Sequence, residues 1–195
     1  KGEGWGVDDG YGYRTGETIV VNDKEIPVAK TFIAMYHHDL WLKSITDALE
    51  SLKNAYLFTG EAKYGRAGAI LIDRIADVYP EFDIDFIPEF YLSHGGTHRG
   101  KILGNIADYN MSVTFAQAYD AFWPAMNDSF VINFLSAKAG QYGFENPKSN
   151  AALIRFNCEN GILREINKAV RDNRIHGNFG QHQQSLATAA VVLDS

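Results

Sequence analysis

The chain is predicted to be all-α: an incomplete (α/α) toroid of antiparallel helix pairs, with a short β-hairpin near the N-terminus. Three observations lead there. Apolar residues recur at helical spacing over most of the 195 residues from His37 onward. Short turns alternate with long connections, so the helices come in pairs. Paired helices that do not close a small bundle belong to a larger array, in which each pair is covered by its neighbours.

Residues 1–16, KGEGWGVDDGYGYRTG, are rich in glycine and aromatics and read as irregular chain. Thr18–Val21 and Ile26–Phe32 flank an Asn-Asp-Lys-Glu turn, a hairpin pattern. From His37 the period becomes helical. Trp41, Ile45, Leu49, Leu52 and Tyr56 mark one face, and the helix stops near Gly60. The next helix, about Glu61 to Tyr79, places Tyr64, Leu71, Ile75 and Val78 inside and ends at Pro80. The Thr59-Gly60-Glu61 joint is short enough to make these two antiparallel neighbours. Residues 81–100 form a long connection, the kind that often carries function. A third helix, about Lys101 to Trp123, uses Ile102, Ile106, Tyr109, Val113 and Ala116. A fourth runs from Ser129 to Tyr142. A fifth, about Ala151 to Asn173, uses Ile154, Cys158, Ile162 and Ile166. A sixth starts near Gln181, with Leu186, Ala189, Ala190 and Leu193 as its stripe. Residues 1–195 thus read as one helical segment. Both ends look cut, as in a piece of a longer multidomain chain.

Composition narrows the function. Net charge is -6 and the pI about 5.5, so nucleic acid is not an expected partner. A protein this acidic that binds an acidic polymer must gather its basic groups locally. Cys158 is the only cysteine, which leaves no internal disulfide and no cysteine-based metal site. No apolar run has the length of a membrane span, and no signal peptide is seen at Lys1.

The richest polar stretch is Ile175–Ser195, IHGNFGQHQQSLATAAVVLDS. A glycine-punctuated loop carrying His176, Asn178, Gln181, His182, Gln183 and Gln184 runs into an apolar helix. Two readings fit. Asn178 or Gln181 caps the helix, or the free N–H groups and partial positive charge of the helix start, with these neutral donors, receive a carboxylate. Among the other histidines, His37 and His38 are adjacent and diverge on a regular helix. His94 and His98 have a ligand-like spacing, but Gly95 and Gly96 place them in a loop, and no HExxH pattern completes them. Gly95 to Lys101 is not a phosphate-binding loop, yet Arg99 and Lys101 at its end offer a grip for an anion. Asp108 and Asp120 share one helix, and Glu159 and Asp172 another. Their spacing selects no pair for glycosidase chemistry. Trp41, Tyr56 and Trp123 read as core. Trp5, Tyr11 and Tyr13 read as an exposed sugar platform.

Three stretches carry a family resemblance: DDGYGYR at 8–14, HDLWLKSITDALESLKNAYLFTGEAKYGRAGAILIDRIADVYP at 38–80, and NCENGILREINKAVRDNRIHGNFGQHQQSLATAAVVLD at 157–194. Together they resemble the N-terminal helical toroid domain of heparinase II/III-like polysaccharide lyases, in the chondroitin AC/alginate lyase superfamily. The Gly-Asn-Phe-Gly-x-His-Gln segment is the most specific part. The resemblance implies β-elimination on a uronate-containing acidic polysaccharide by a periplasmic or secreted enzyme with no cofactor. Asn178 matches the asparagine that neutralises the uronate carboxylate. His182 departs from the pattern, because relatives often carry the histidine directly after that asparagine. The expected catalytic residues are therefore Asn178 and His182. His98, Arg99, Trp5, Tyr11 and Gln181 are the substrate-binding candidates. The family's catalytic tyrosine is expected beyond Ser195, in further domains of the same chain, so the segment alone is expected to be nearly inactive. The alternatives are an α/α-toroid glycoside hydrolase using two carboxylates and a non-catalytic carbohydrate-binding module.

Overall fold

The computed structural model describes residues 13–21, 23–30, 40–82, 100–103 and 105–193. Strand β1 (Tyr13–Val21) and strand β2 (Lys24–Lys30) pair antiparallel, with Val21 opposite Lys24. Asp23 takes φ +62° in the tight turn between them, a conformation that aspartate tolerates better than most residues. The ladder slips between Arg14 and Thr18, where Gly16 sits at φ +81°. Glycine there marks a bulge inside the strand, so β1 begins earlier than the irregular reading of residues 1–16 allows.

Six helices make up most of the described chain. Helix α1 covers residues 41–59, a π-helical segment Trp41–Thr46 running into Asp47–Thr59. Helix α2 is Ala62–Val78, closed by a 3-10 turn, Tyr79–Glu81, at Pro80. Helix α3 is Asn105–Phe122, followed by a 3-10 turn, Pro124–Asn127. Helix α4 is Ser129–Tyr142. Helix α5 covers residues 151–171 and has a π-helical middle, Glu159–Arg164. Helix α6 is Gln181–Leu193. Gly60 and Gly143 end α1 and α4 in the left-handed conformation, at φ +68° and +66°, which a residue with a Cβ resists. Asp128 and Asn150 cap α4 and α5 by accepting the N–H groups of Phe130 and Leu153.

Helix α3 lies against α1, α2 and α6, and α2 touches α1, α3, α4 and α5. The core between them holds Leu49, Ile72, Ile75, Met111, Phe115 and Phe122, with Ile154, Cys158, Ile162 and Ile166 from α5. The α5 stripe is the one read from sequence. Its four-residue steps outrun the 3.6 residues of an α-helical turn, so a plain helix would carry the stripe off the core. The wider π turn takes up part of that drift. α1, with Trp41, Ile45 and Leu49 at the same spacing, has its own π segment at the start of its stripe.

Three expectations are corrected. On α2 the buried face is Gly65, Gly68, Ala69, Ile72, Ile75 and Ala76, while Tyr64, Leu71 and Val78 are half-buried. Gly68 sits where a Cβ would enter the Phe122 ring, and Gly161 of α5 where a Cβ would meet the Ala76 carbonyl. The helices meet through small residues that a hydrophobicity pattern underrates. Trp123 is not core: it is 44% exposed, with the Arg155 guanidinium 3.4 Å from its ring centroid. Ala190 is exposed too, and the buried α6 positions are Ser185 and Ala189.

Candidate functional site

Polar groups divide into two kinds, those enclosed by the fold and those left open. The enclosed set centres on Lys148, in the α4–α5 connection, at φ +48° and 2% exposed. Its ammonium lies 2.6 Å from both Asp73 Oδ2 and Asp77 Oδ1. Asn157 Nδ2 donates to Asp73 Oδ1 at 2.9 Å and Asp77 Oδ1 at 2.8 Å. Two carboxylates thus share one cation. Burial, and the neighbouring Asp77 charge, outweigh Lys148 and raise the Asp73 pKa to about 6. Cys158 beneath them is enclosed and its thiol pKa is pushed up by the same burial, which makes it unreactive.

A second enclosed set ties down the chain before α3. Asp108 accepts the N–H groups of Lys101, Ile102 and Leu103 at 2.7–3.0 Å. Lys101 Nζ donates to Glu165 Oε1 at 2.7 Å and to the Pro80 carbonyl at 2.8 Å. Lys101 is therefore a structural cation rather than a grip for a ligand, and burial lowers its pKa. That turn around Asp108 is also why α3 starts at Asn105 and not at Lys101. Tyr79 is buried next to Asp108 and Glu165, and burial raises its pKa well above the usual phenol range.

The open set lies at the start of α6. Gly180, at φ +91°, turns the chain into the helix. The Gln181 N–H donates to the Asn178 carbonyl at 3.0 Å, and Gln181 Oε1 accepts the Asn178 N–H at 2.6 Å. This is a reciprocal cap, and Gly177 leaves the room in which the Gln181 side chain folds back. The Gln181 NH2 group has no hydrogen-bond partner among the described residues. Asn178 is exposed, and its carboxamide has no hydrogen-bond partner among the described residues. The His182 and Gln183 N–H groups of the first turn have no backbone partner either. His176 and His182 are half-buried, each with Nδ1 enclosed and unpartnered, so each ring offers Nε2 to the outside. Phe179 is fully exposed beside them.

Helix α3 supports this end. Tyr109 donates its hydroxyl to Gln184 Oε1 at 2.6 Å, and Ser112 and Ser185 share a buried hydroxyl contact at 2.8 Å. Sequence reasoning placed Tyr109 only on an apolar face. Its role depends on a partner 75 residues away, which no local pattern signals. Asn178, Gln181 and His182 are thus brought together. Trp5, Tyr11, His98 and Arg99 lie outside the described residues, as do His37, His38 and His94.

The scattered carboxylates sort as well. Asp108 is structural and Asp172 exposed. Asp120 and Glu159 line one cavity of about 310 Å³ with Tyr119, Trp123 and Pro124. Tyr119 donates to Glu159 Oε1 at 2.8 Å, and burial with that bond raises its pKa. Among the described residues no three His, Cys, Asp or Glu side chains gather as metal ligands. No described helix is long and apolar enough to cross a membrane. Comparison with protein-family models, curated proteins and solved structures finds no match.

Proposed function

We propose that the chain is the helical part of a polysaccharide lyase, an arc of an incomplete (α/α) toroid, that cleaves a uronate-containing acidic polysaccharide by β-elimination. The observation that supports this reading is the α6 start, where the exposed Asn178 carboxamide, the N–H groups of His182 and Gln183 and the His182 ring follow one another along one turn of chain without a hydrogen-bond partner among the described residues. Two N–H donors on Asn178 bind a carboxylate without a competing charge. The helix start adds partial positive charge. Neutralising the uronate carboxylate acidifies the C5 proton and stabilises the enediolate that forms as it leaves. A base takes that proton, the electron pair becomes the C4–C5 double bond, and the glycosidic O4 departs with a proton. In this reading His182 Nε2 binds the substrate near the reacting carbon, and Asn178 acts on the developing charge.

The test is kinetic, on the protein that carries this chain. Acidic polysaccharides should yield an ultraviolet-absorbing unsaturated product. Asn178→Ala should lower kcat and kcat/KM together by about 10²–10³, the loss typical of one oxyanion donor. His182→Ala should mainly raise KM. A near-normal Asn178→Ala beside an inactive His182→Ala reverses the two roles.

A second reading has its own observation, the meeting of Asp120 and Glu159 at one aromatic cavity. A glycoside hydrolase would use them as acid and base. It predicts new reducing ends without ultraviolet absorbance, abolished by Glu159→Gln.

A further inference from the structure

Helix α4 leaves large aromatics in water. Phe130, Phe134 and Tyr142 are 53%, 39% and 62% exposed. They stand with Lys138 at four-residue steps, along the ridge that winds slowly around a helix. The groups touch in sequence. The Phe130 and Phe134 ring centroids are 6.4 Å apart with planes 15° from parallel. Lys138 Nζ lies 6.0 Å from the Phe134 ring and 5.4 Å from the Tyr142 ring. The Arg66 guanidinium covers Phe130 at 5.4 Å, and Phe144 extends the row beyond Tyr142. Twelve residues of helix make the row about 18 Å long.

Two further features separate this row from incidental exposure. In a chain with 24 acidic residues, SFVINFLSAKAGQY contains none, and its one charged residue is Lys138. Gly140 lies inside the helix, yet a Cβ there would meet nothing within 4 Å. Helix-interior glycine costs about 1 kcal/mol against alanine, and no packing contact requires it. Two residues from Lys138, Gly140 lies on the far side of the helix, so with exposed Ala137 it lowers the solvent flank beside the row. The exposed positions carry rings and amides and no aliphatic side chain larger than Ala137, while Lys138 and Ile132 are half-buried. A docking protein would favour aliphatic anchors. Sugar rings stack their C–H faces on aromatics, and an acidic sugar also pairs with an ammonium.

We infer that this α4 face is a glycan-binding platform for an acidic polysaccharide chain, with Phe130, Phe134 and Tyr142 stacking on sugar rings and Lys138 pairing with a carboxylate or sulfate. It is a separate surface from the α6 start: α4 packs on α2 and the 124–127 turn, and α6 on α3 and α5. The proposed lyase reading supplies the class of polymer, and the α4 row supplies a place to hold it.

The test is affinity electrophoresis through gels containing alginate, chondroitin sulfate or heparan sulfate, with neutral dextran as control. The protein should carry Asn178→Ala and His182→Ala, so that cleavage does not interfere. Retardation is expected in at least one acidic gel and not in dextran. Phe134→Ala with Tyr142→Ala should weaken it about tenfold or more. Lys138→Gln should weaken it and reduce its salt dependence. Circular dichroism should show the fold intact in both variants. Retardation in no acidic gel, or retardation unchanged in the double ring variant, overturns the inference. So does sedimentation as a dimer that the ring variant splits, because the face is then a contact between copies. Absence of ultraviolet product from the protein with Asn178 and His182 intact, with platform binding retained, would sink the lyase reading alone.

Discussion

The floor between α2 and α5 and the start of α6 are both crowded with polar side chains, and they use them in opposite ways. At the floor, Lys148, Asp73, Asp77 and Asn157 satisfy one another, Lys148 and Asp73 buried and Asp77 and Asn157 half-buried. At α6, Asn178 and His182 stand half or fully open, with donor groups that nothing in the fold engages. A buried charge network must be nearly complete to be tolerated. An incomplete set is stable only where water or a ligand completes it. The contrast separates groups that hold the chain together from groups the fold leaves unengaged, and substitutions at the two places should differ accordingly.

The largest effect is expected at Lys148. Lys148→Met leaves buried Asp73 and half-buried Asp77 without their cation, and breaking a buried pair in this way costs about 3–5 kcal/mol. Urea unfolding measures it. A loss below about 1 kcal/mol would mean that the floor is wetter than its 2% exposure implies.

Next is the pH response of the same network. The folded pKa of Asp73, about 6, lies above its ordinary value of 3.8. A raised pKa contributes stability that is full below pH 3.8 and is lost as pH rises through about 6, because folding then confines an unwanted charge. Asp73→Asn removes that titration. The stability of the wild type relative to Asp73→Asn should therefore fall between about pH 4 and pH 7, by at most about 3 kcal/mol. Paired urea titrations across that range would show it, and a difference independent of pH would place the proton elsewhere in the cluster.

Third is the contact that brings the floor together. Gly161→Ala aims a methyl group at the Ala76 carbonyl, a backbone atom that cannot swing aside. Separating α2 from α5 to admit it should cost about 1–3 kcal/mol, read from the same unfolding curves. Gly177→Ala, whose methyl meets only the Gln181 side chain, should cost less, since that chain can turn outward.

These features also mark what the sequence disclosed. The limits of α4 and the inward stripe Ile154, Cys158, Ile162 and Ile166 are local and periodic, and both were legible. The four-residue steps in α1 and α5 even foreshadow their π segments. The α2 face was misjudged because its contacts run through Gly65, Gly68 and Ala69, which carry little hydrophobic signal. Asp73, Lys101 and Lys148 could not be seen as interior, since a charge is buried only when its partner is at hand, and the partners are 64 to 75 residues away. The α6 start was legible as a polar loop before a helix. Of its two readings the structure shows the cap, made by Gln181 Oε1 accepting the Asn178 N–H, with the Asn178 carboxamide left unpartnered among the described residues.

That division gives the smallest expected effect and the sharpest form of the comparison. Asn178 is exposed and its carboxamide supports no neighbour, so Asn178→Ala should leave the unfolding free energy within about 0.5 kcal/mol of the wild type. Gln181→Ala, by contrast, removes the acceptor of the Asn178 N–H and should loosen the loop by about 0.5–1.5 kcal/mol. The prediction is thus an ordering at one helix end: the cap residue affects stability, and its neighbour affects catalysis by about 3–4 kcal/mol of activation free energy with almost no cost to the fold. Thermal melts and steady-state kinetics on the same two variants decide it. If Asn178→Ala destabilises the chain as much as Gln181→Ala does, its carboxamide is part of the cap, and the α6 start is no more open than the floor beneath Lys148.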